Sequence, residues 1–300
     1  MDVVDRLHDK DQEMQDKASM HLLSRKDIDD VLRLLYEEGW VEFGREDLEF
    51  MIDTSPRSCF KFVCNGHLIG VTFATELPGQ IFYPNSILID KRYRQKVGYY
   101  EEGVKFLEYI DRMSRHEVIY AAERLVGLYS AIGGYEFLCT YCRLYVPASG
   151  FPSPSSATAE IDEHDLDEVS AFAREIYHSD RDTLFRHFHE RGARGFVCRD
   201  GNGGIEGFAL VRQQPKVLVL GPVIARSDHA AMEVMAAAAE AFPGEDLQIN
   251  GEEAKLTTFL SDHRIPWKDS GAKMAKMTRG DREYLEDEHR IYGIFSHYIS

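Results

Sequence analysis

Residues with the means to do chemistry gather at one strand-to-helix junction. The run Ser86-Ile87-Leu88-Ile89-Asp90 reads as a strand and passes into a basic turn, Lys91-Arg92-Tyr93-Arg94-Gln95-Lys96-Val97-Gly98-Tyr99, before a helix over 100–112. A helix start leaves backbone N–H groups unpaired and carries the positive end of the helix dipole. With Arg94 and Lys96 beside it, the junction therefore predicts an anion site. Farther on, Leu128-Tyr129-Ser130-Ala131-Ile132-Gly133-Gly134-Tyr135-Glu136 offers the phenol of Tyr129. A phenol keeps its proton at neutral pH and can act as an acid, although the commoner fate of such a ring is packing on the next strand. Glu76 and Glu123 each close a strand and could accept a proton in a cleft, against the ordinary fate of a solvated carboxylate.

Metal and redox chemistry find less support. Five cysteines are an odd number, and Cys59, Cys64 and Cys198 sit in apolar, strand-like runs where a thiol behaves as a small hydrophobe. Cys139-Thr140-Tyr141-Cys142 has CxxC spacing but no second pair at zinc-ligand spacing, and strand alternation places its two thiols on opposite faces. His187 and His189 are two apart in a helical pattern and point to different faces, so with His178 they read as a solvated surface. No metal is expected.

The elements that must hold these groups occur twice. An acidic helix start at Asp27-Ile28-Asp29-Asp30-Val31 leads to the strand pair around Phe62-Val63-Cys64, the turn Asn65-Gly66 and Leu68-Ile69-Gly70-Val71. Asp165-Leu166-Asp167-Glu168-Val169, Phe196-Val197-Cys198, a turn through Gly201 and Gly204, and Ile205-Glu206-Gly207-Phe208 repeat that order. Such a period marks a duplicated domain. In the first copy, Asp27 is placed as the cap of a helix, a second helix covers 45–52, and strands cover 59–64, 68–75 and 80–90. A helix over 98–115, a strand at 117–121, a helix near 125–132 and a strand over 137–146 complete it. The Pro, Ser and Gly stretch from Pro147 to Thr158 has linker composition. The predicted division is a charged tail over 1–19, a first domain over 20–146, a linker over 147–158 and a second domain over 159–300. Both domains are α/β with mixed sheets.

This order, with a strand running into a basic turn and a helix, resembles the GCN5-related N-acetyltransferase (GNAT) superfamily. The resemblance implies that Ile87, Leu88 and Ile89 pair their backbone with the pantetheine of acetyl-CoA, and that Arg94, Gln95, Lys96, Val97, Gly98 and Tyr99 face its pyrophosphate. Family glycines fall here on Val97 and Tyr99, with Gly98 between them. Either the loop is shifted by one residue and still binds, or the bulk weakens or abolishes binding. The segment at Tyr129 resembles the family element whose tyrosine protonates the departing thiolate. Tyr129 matches if Gly133 is the family glycine, and Ser130 takes its place if Gly134 is. The resemblance also implies a base for the incoming amine, for which Glu123 and Glu76 are the candidates.

In the second copy the equivalent strand, Lys216-Val217-Leu218-Val219-Leu220-Gly221-Pro222, lacks a basic turn after it, and no acetyl-CoA is expected there. Ser179-Asp180-Arg181, Leu220-Gly221-Pro222, Met277-Thr278-Arg279-Gly280 and Arg290-Ile291-Tyr292-Gly293-Ile294-Phe295 resemble the second, degenerate domain of a tandem-GNAT group.

Composition narrows the partners. Across 300 residues, 35 Lys and Arg stand against 51 Asp and Glu, a formal charge of -16 that opposes nonspecific attraction to nucleic acid or an anionic membrane. The opening stretch lacks the apolar core of a signal peptide, and no run is long and apolar enough to span a bilayer. A cytoplasmic or nucleocytoplasmic setting is expected. The resulting expectation is an acetyl-CoA-dependent N-acyltransferase acting on a primary amine of a small molecule or peptide by direct transfer. The alternative is a non-catalytic CoA-binding or interaction module.

Overall fold

In a computed structural model that describes residues 18–40, 43–94 and 99–295, the repeat in the sequence becomes a repeat of structure. Most of the expected tail, and Gln95, Lys96, Val97 and Gly98 of the basic turn, lie outside the described residues. The first half runs β1 (Ser19–Leu22), α1 (Ile28–Glu37), α2 (Arg45–Thr54), β2 (Cys59–Cys64), β3 (His67–Leu77), β4 (Ile81–Ile89), α3 (Tyr99–Asp111), β5 (His116–Ala122), α4 (Val126–Gly133) and β6 (Glu136–Pro147). The second half repeats each step as β7 (Thr158–Glu160), α5 (Leu166–Tyr177), α6 (Asp182–Glu190), β8 (Arg194–Arg199), β9 (Ile205–Gln214), β10 (Val217–Ala225), α7 (Asp228–Ala241), β11 (Asp246–Glu252), α8 (Glu253–Asp262) and β12 (Lys268–Gly280). A last strand, β13 (Ile291–Gly293), has no counterpart among the described residues of the first half.

Local chemistry accounts for most of these elements. Asn65 and Gly66 both take positive φ, 50° and 79°, as a two-residue hairpin turn between twisted strands requires. Along α1, Ile28, Val31, Leu34 and Leu35 recur at helical spacing and are buried. Asp27 does not cap this helix as expected. The chain enters through a short 3-10 turn, and Ser24 donates its N–H (2.9 Å) and hydroxyl (2.7 Å) to the Asp27 carboxylate, which also accepts from Lys61 at 2.6 Å. Ser24 is thus the cap and Asp27 its reciprocal acceptor. β1 was not foreseen: it is a four-residue edge strand that exists by pairing with β2.

The sheet is continuous across both halves, in the order β1-β2-β3-β4-β5-β12-β6-β11-β10-β9-β8-β7. The two long strands are exchanged. β12, from the second half, lies between β5 and β6, with Met277 opposite Ile119 on one side and Phe137 on the other. β6, from the first half, lies between β12 and β11, with Leu144 opposite Ile249. One core is shared: Val31 and Leu48 of α1 and α2 pack in it with Phe172 and Leu184 of α5 and α6. α3 packs on Phe60, Ala74 and Phe82, and α7 and α8 cover β9 to β11. Each fully buried side chain of this kind stabilises by roughly 1.5–3 kcal/mol, so the halves are joined by packing as well as by strand pairing. Cys139 and Cys142, on opposite faces of β6, belong to different cores. His187 is not on a solvated surface: its ring lies edge-on to Phe50 at 5.0 Å, and Nε2 lies 3.1 Å from the Glu46 carbonyl.

Candidate active site

The first half opens where β4 and β5 part. These parallel strands pair at Ile81 with His116 and Phe82 with Glu117, and among the described residues the pairing stops there. On its other edge β4 stays paired with β3 as far as Ile89 opposite Gly70, with a bulge that skips Asn85. Pro84 lacks an N–H, and a bulge turns the strand away from its neighbour. The β5-facing edge of β4 past Phe82 therefore offers backbone groups that no described strand pairs, and such groups seek hydrogen bonds. Extended amide-bearing chains fit an edge of this kind.

In the second half the same parting is filled. β10 and β11 pair at Leu218 with Leu247 and Val219 with Gln248, and then β10 bulges at Gly221 and Pro222. β13 occupies the gap beyond, with Gly293 opposite Val223 and Ile291 opposite Ile224. The Ile294 N–H reaches across to the Asn250 carbonyl on β11 at 2.8 Å. Two glycines permit this approach: a Cβ on Gly221 would lie 2.1 Å from the Ile294 carbonyl oxygen, and one on Gly251 would lie 2.7 Å from that of Tyr292.

The residues singled out in sequence distribute along the first opening. Ile87 is half-buried against α3, where a Cβ on Gly103 would stand 3.1 Å from its Cδ1, while Leu88 and Ile89 are buried. The Arg94 guanidinium donates to the Ile89 carbonyl (2.8 Å) and to Glu38 (2.6 Å), tying the start of the turn to the end of α1. Tyr99 opens α3. Tyr129 straddles the parting, packed against a cluster containing Phe82 and Ile87 of β4 and another containing Ile119 and Ala121 of β5. Its ring meets Tyr135 edge-on, with centroids 6.0 Å apart. α4 ends on Gly134 at φ 65°, and the Ser130 hydroxyl is spent on the Tyr135 carbonyl at 2.9 Å.

Glu76 and Glu123 are not brought together. Glu76 sits opposite Phe82, level with the closed end of the opening, whereas Glu123 follows β5 past its far end. Glu123 is six residues beyond Glu117, which is about 20 Å along a strand. Glu76 lies 3.7 Å from Arg57 and lines a cavity of about 670 Å³ with Asp53 and Asp180. Glu123 is exposed, near Lys273.

Behind the closed end lies a buried polar cluster that sequence reasoning missed. The Glu286 carboxylate, 1 % exposed, accepts from Lys276, from Arg181 at 2.7 Å and from the Tyr83 hydroxyl at 2.8 Å. Lys276 also donates to Glu288, which accepts the Tyr141 hydroxyl at 2.7 Å. Burial alone would push Glu286 up, but Lys276 and Arg181 outweigh it and hold the carboxyl low. Burial would likewise lower Lys276, but Glu286, Tyr120 and Glu288 hold it well above its ordinary value. Both stay charged. A cavity of about 470 Å³ lies over this cluster, lined by His116, Val118, Leu138, Lys255, Lys276 and Glu286 among others. Val118 and Tyr83 are the first residues of β5 and β4 past their pairing, so the cavity adjoins the closed end of the opening. Burial also pushes the His116 imidazole down, which favours its neutral form. The available signal was Lys276 itself, a cation flanked by Ala275 and Met277.

Residues 169–293 match the family model of the acetyltransferase (GNAT) domain. The protein described as uncharacterized N-acetyltransferase YitH of Bacillus subtilis is 23% identical over 218 residues, covering 71% of this chain and 75% of that protein. A putative acetyltransferase from Pyrococcus horikoshii superposes with a TM-score of 0.78 at 16% identity, over 94% of this chain and 96% of the other. A tandem GNAT protein from the clavulanic acid biosynthesis pathway, solved without AcCoA, superposes with a TM-score of 0.61 at 12% identity, over 87% and 98%. Among the described residues, no helix is long and apolar enough to cross a membrane.

Proposed function

We propose that this chain, whose residues 169–293 match the acetyltransferase (GNAT) domain model, is a GNAT-superfamily N-acyltransferase that takes the acetyl group of acetyl-CoA and transfers it directly to a primary amine of a small molecule or peptide. The observation that carries the reading is the contrast between the halves. The parting of β10 and β11 holds the chain's own strand β13, while the parting of β4 and β5 has no described strand in it. The first half, over 20–146, is the catalytic one in this reading, and the second half, after the linker over 147–158, closes its acceptor side.

In that arrangement the backbone of Ile87, Leu88 and Ile89 holds the pantetheine amides. The start of α3 holds the pyrophosphate with Arg94, Gln95, Lys96, Val97, Gly98 and Tyr99 around it, at the positive end of the helix dipole. The amine enters from the cavity adjoining Val118 and attacks the thioester carbonyl as a neutral base. As the C–S bond breaks, Tyr129 gives its phenolic proton to the thiolate. The amine proton passes to a carboxylate or water. Glu76 is level with the closed end of the opening, and Glu123 is the candidate at its far end, so only one of them serves a given acceptor. Binding that precedes chemistry in one ternary complex supplies much of the rate through positioning. Five free cysteines accord with a reducing, cytoplasmic or nucleocytoplasmic setting.

One observation favours the second reading, a module that binds CoA without turnover. The Arg94 guanidinium is already engaged by Glu38 and Ile89, and Val97 and Tyr99 stand where the family places glycine. Incubation with acetyl-CoA and a panel of primary amines, following thiol release and the acetylated product by mass spectrometry, separates the two. Turnover that falls by about 100-fold or more in Tyr129→Phe, a magnitude typical of a general acid, supports the enzyme. Binding with no product from any amine supports the module.

A further inference from the structure

Arg279 belongs to the second half, yet every described contact of its guanidinium is with the first half. It sits on β12 directly opposite Glu117 of β5, the last β5 residue paired before the parting. Nη1 donates to the Gly133 carbonyl at the end of α4 (2.9 Å), and Nη2 donates to Glu117 (2.7 Å). Nη2 also lies 3.2 Å from Asp111 and 3.5 Å from the Leu107 carbonyl, in the last turn of α3. The guanidinium covers the Tyr135 ring at 4.6 Å, and the Tyr135 hydroxyl is bonded to the same Glu117 carboxylate. Tyr135 in turn is the ring against which Tyr129 packs edge-on.

We propose that Arg279 is a positioning residue for Tyr129, so that the exchanged strand β12 completes the site of the first half. The inference rests on the acyltransferase reading above. Two physical effects support it. A cation at the C-terminal ends of two helices meets the negative end of each dipole and, at α4, the Gly133 carbonyl beyond reach of the helix's own N–H groups, which fixes where α4 stops. A planar guanidinium that stacks on Tyr135 while bridging Glu117 and Gly133 holds that ring in a single orientation, as a lysine ammonium cannot. With Tyr135 clamped from its face by Arg279 and from its hydroxyl by Glu117, the surface that receives the Tyr129 ring is rigid. A phenol serving as an acid needs such placement, since small displacements from a reactive geometry cost rate steeply. The buried Glu117 has no other evident purpose than to organise these donors: Ser114, Tyr135 and Arg279 all give to it.

The test is a double-mutant cycle between Arg279→Met and Tyr129→Phe, read as kcat and KM for acetyl-CoA in the thiol-release assay with the best amine of the panel. Arg279→Met alone is expected to lower kcat by about 30-fold with KM changed less than twofold. In the Tyr129→Phe background the same change is expected to cost less than threefold, because the acid it positions is gone. Arg279→Lys, which keeps the charge but not the fork, should recover only part of the rate. Equal losses in both backgrounds would show a general structural role and overturn the proposal. So would a rise in KM of tenfold or more, which would place the effect on donor binding through α3. If Tyr129→Phe itself retains full activity, the role of Tyr129 fails, whatever Arg279 does. Acetyl-CoA titration and thermal melts of each variant keep these outcomes apart from simple misfolding; should Arg279→Met unfold, the cycle is run with Tyr135→Phe, which removes only the hydroxyl bonded to Glu117.

Discussion

Gly293 on β13 stands in register with Val223 on β10, and Val223 holds the place in its half that Ser86 holds in the other. Each is four residues past the last pairing of its strand with the parallel neighbour, Phe82 to Ser86 and Val219 to Val223, and each is the first residue paired again beyond a bulge. The duplicated fold thus makes one V-shaped opening twice. The second copy closes it with its own C-terminal segment, anchored where Arg212 donates to the Phe295 carbonyl at 3.0 Å and stacks on the Phe295 ring at 3.9 Å. In the proposed reading, division of labour between the halves follows from that one strand.

Filling the second opening leaves no room for a side chain at Gly221. Its substitution by alanine would place a Cβ against the Ile294 backbone, where no flexible side chain can give way. Overpacking of this kind costs about 1–3 kcal/mol, so Gly221→Ala should lower the urea midpoint by that equivalent and expose residues 291–295 to amide exchange. Unchanged stability and exchange would refute the tight seat of β13.

The buried charge cluster predicts an asymmetric response. Glu286→Ala leaves the guanidinium of Arg181, itself 1 % exposed, without its carboxylate and strips Lys276 of one of two. Breaking a buried ion pair from one side costs about 3–5 kcal/mol. Replacing exposed Asp30, paired with Arg33 at the surface, should cost less than about 1 kcal/mol. Denaturant unfolding of both variants measures the difference.

Lys255 predicts a pH dependence. Burial pushes its ammonium down to about 8, even though Asp228 and Glu288 favour the charged form. Below that value Lys255 is protonated in both folded and unfolded chains, so its burial penalty is constant. Between about 8 and the ordinary lysine value near 10.5, the unfolded chain holds more protons at this site than the folded one, so stability contributed by this group rises with pH. Relative to Lys255→Met, the wild type should therefore gain roughly 2 kcal/mol on going from pH 8 to 10.5. A difference that stays flat or falls across this window would contradict the depressed value.

Thiol chemistry offers a simple check of the exchanged strands. Cys139 and Cys142, both on β6, are pushed up to about 12, chiefly by burial, and Cys59, Cys64 and Cys198 are buried. Thiolates react and thiols do not, so the folded protein should label slowly with a disulfide reagent at pH 8, and all five thiols should react after unfolding. Prompt labelling in the folded state of Cys142, which stands between Gly251 of β11 and Lys273 of β12, would mean that β6 is not held between those strands.

Much of the architecture was legible because its signals are local. Asn65-Gly66 announced its hairpin, the spacing of Ile28, Val31 and Leu35 its helix, and Ser86 to Ile89 the strand β4. The edge strand β1 was not, since four residues, Ser19-Met20-His21-Leu22, are too short an alternation to stand out and are a strand only beside β2. Nor could pattern reveal the exchange of β6 and β12: alternation says which face a residue takes, not which neighbour its strand will find. The same gap hid Lys276, Arg181 and Arg279. Read singly, a cation in a strand or at a helix start suggests solvent, and its carboxylate partners lie far away in sequence, as Glu286 does from Arg181 and Glu117 from Arg279. The strand β13 escaped because three residues carry its role, and their meaning depends on a gap made by other strands.

The most direct test is a calorimetric titration of acetyl-CoA and CoA into the wild-type protein and into Arg94→Ala/Lys96→Ala. The account predicts one donor per chain, bound at micromolar affinity, and at least a tenfold loss in the double variant. No binding to the wild type, two donors per chain, or binding indifferent to Arg94 and Lys96 would contradict a single donor site in the first half.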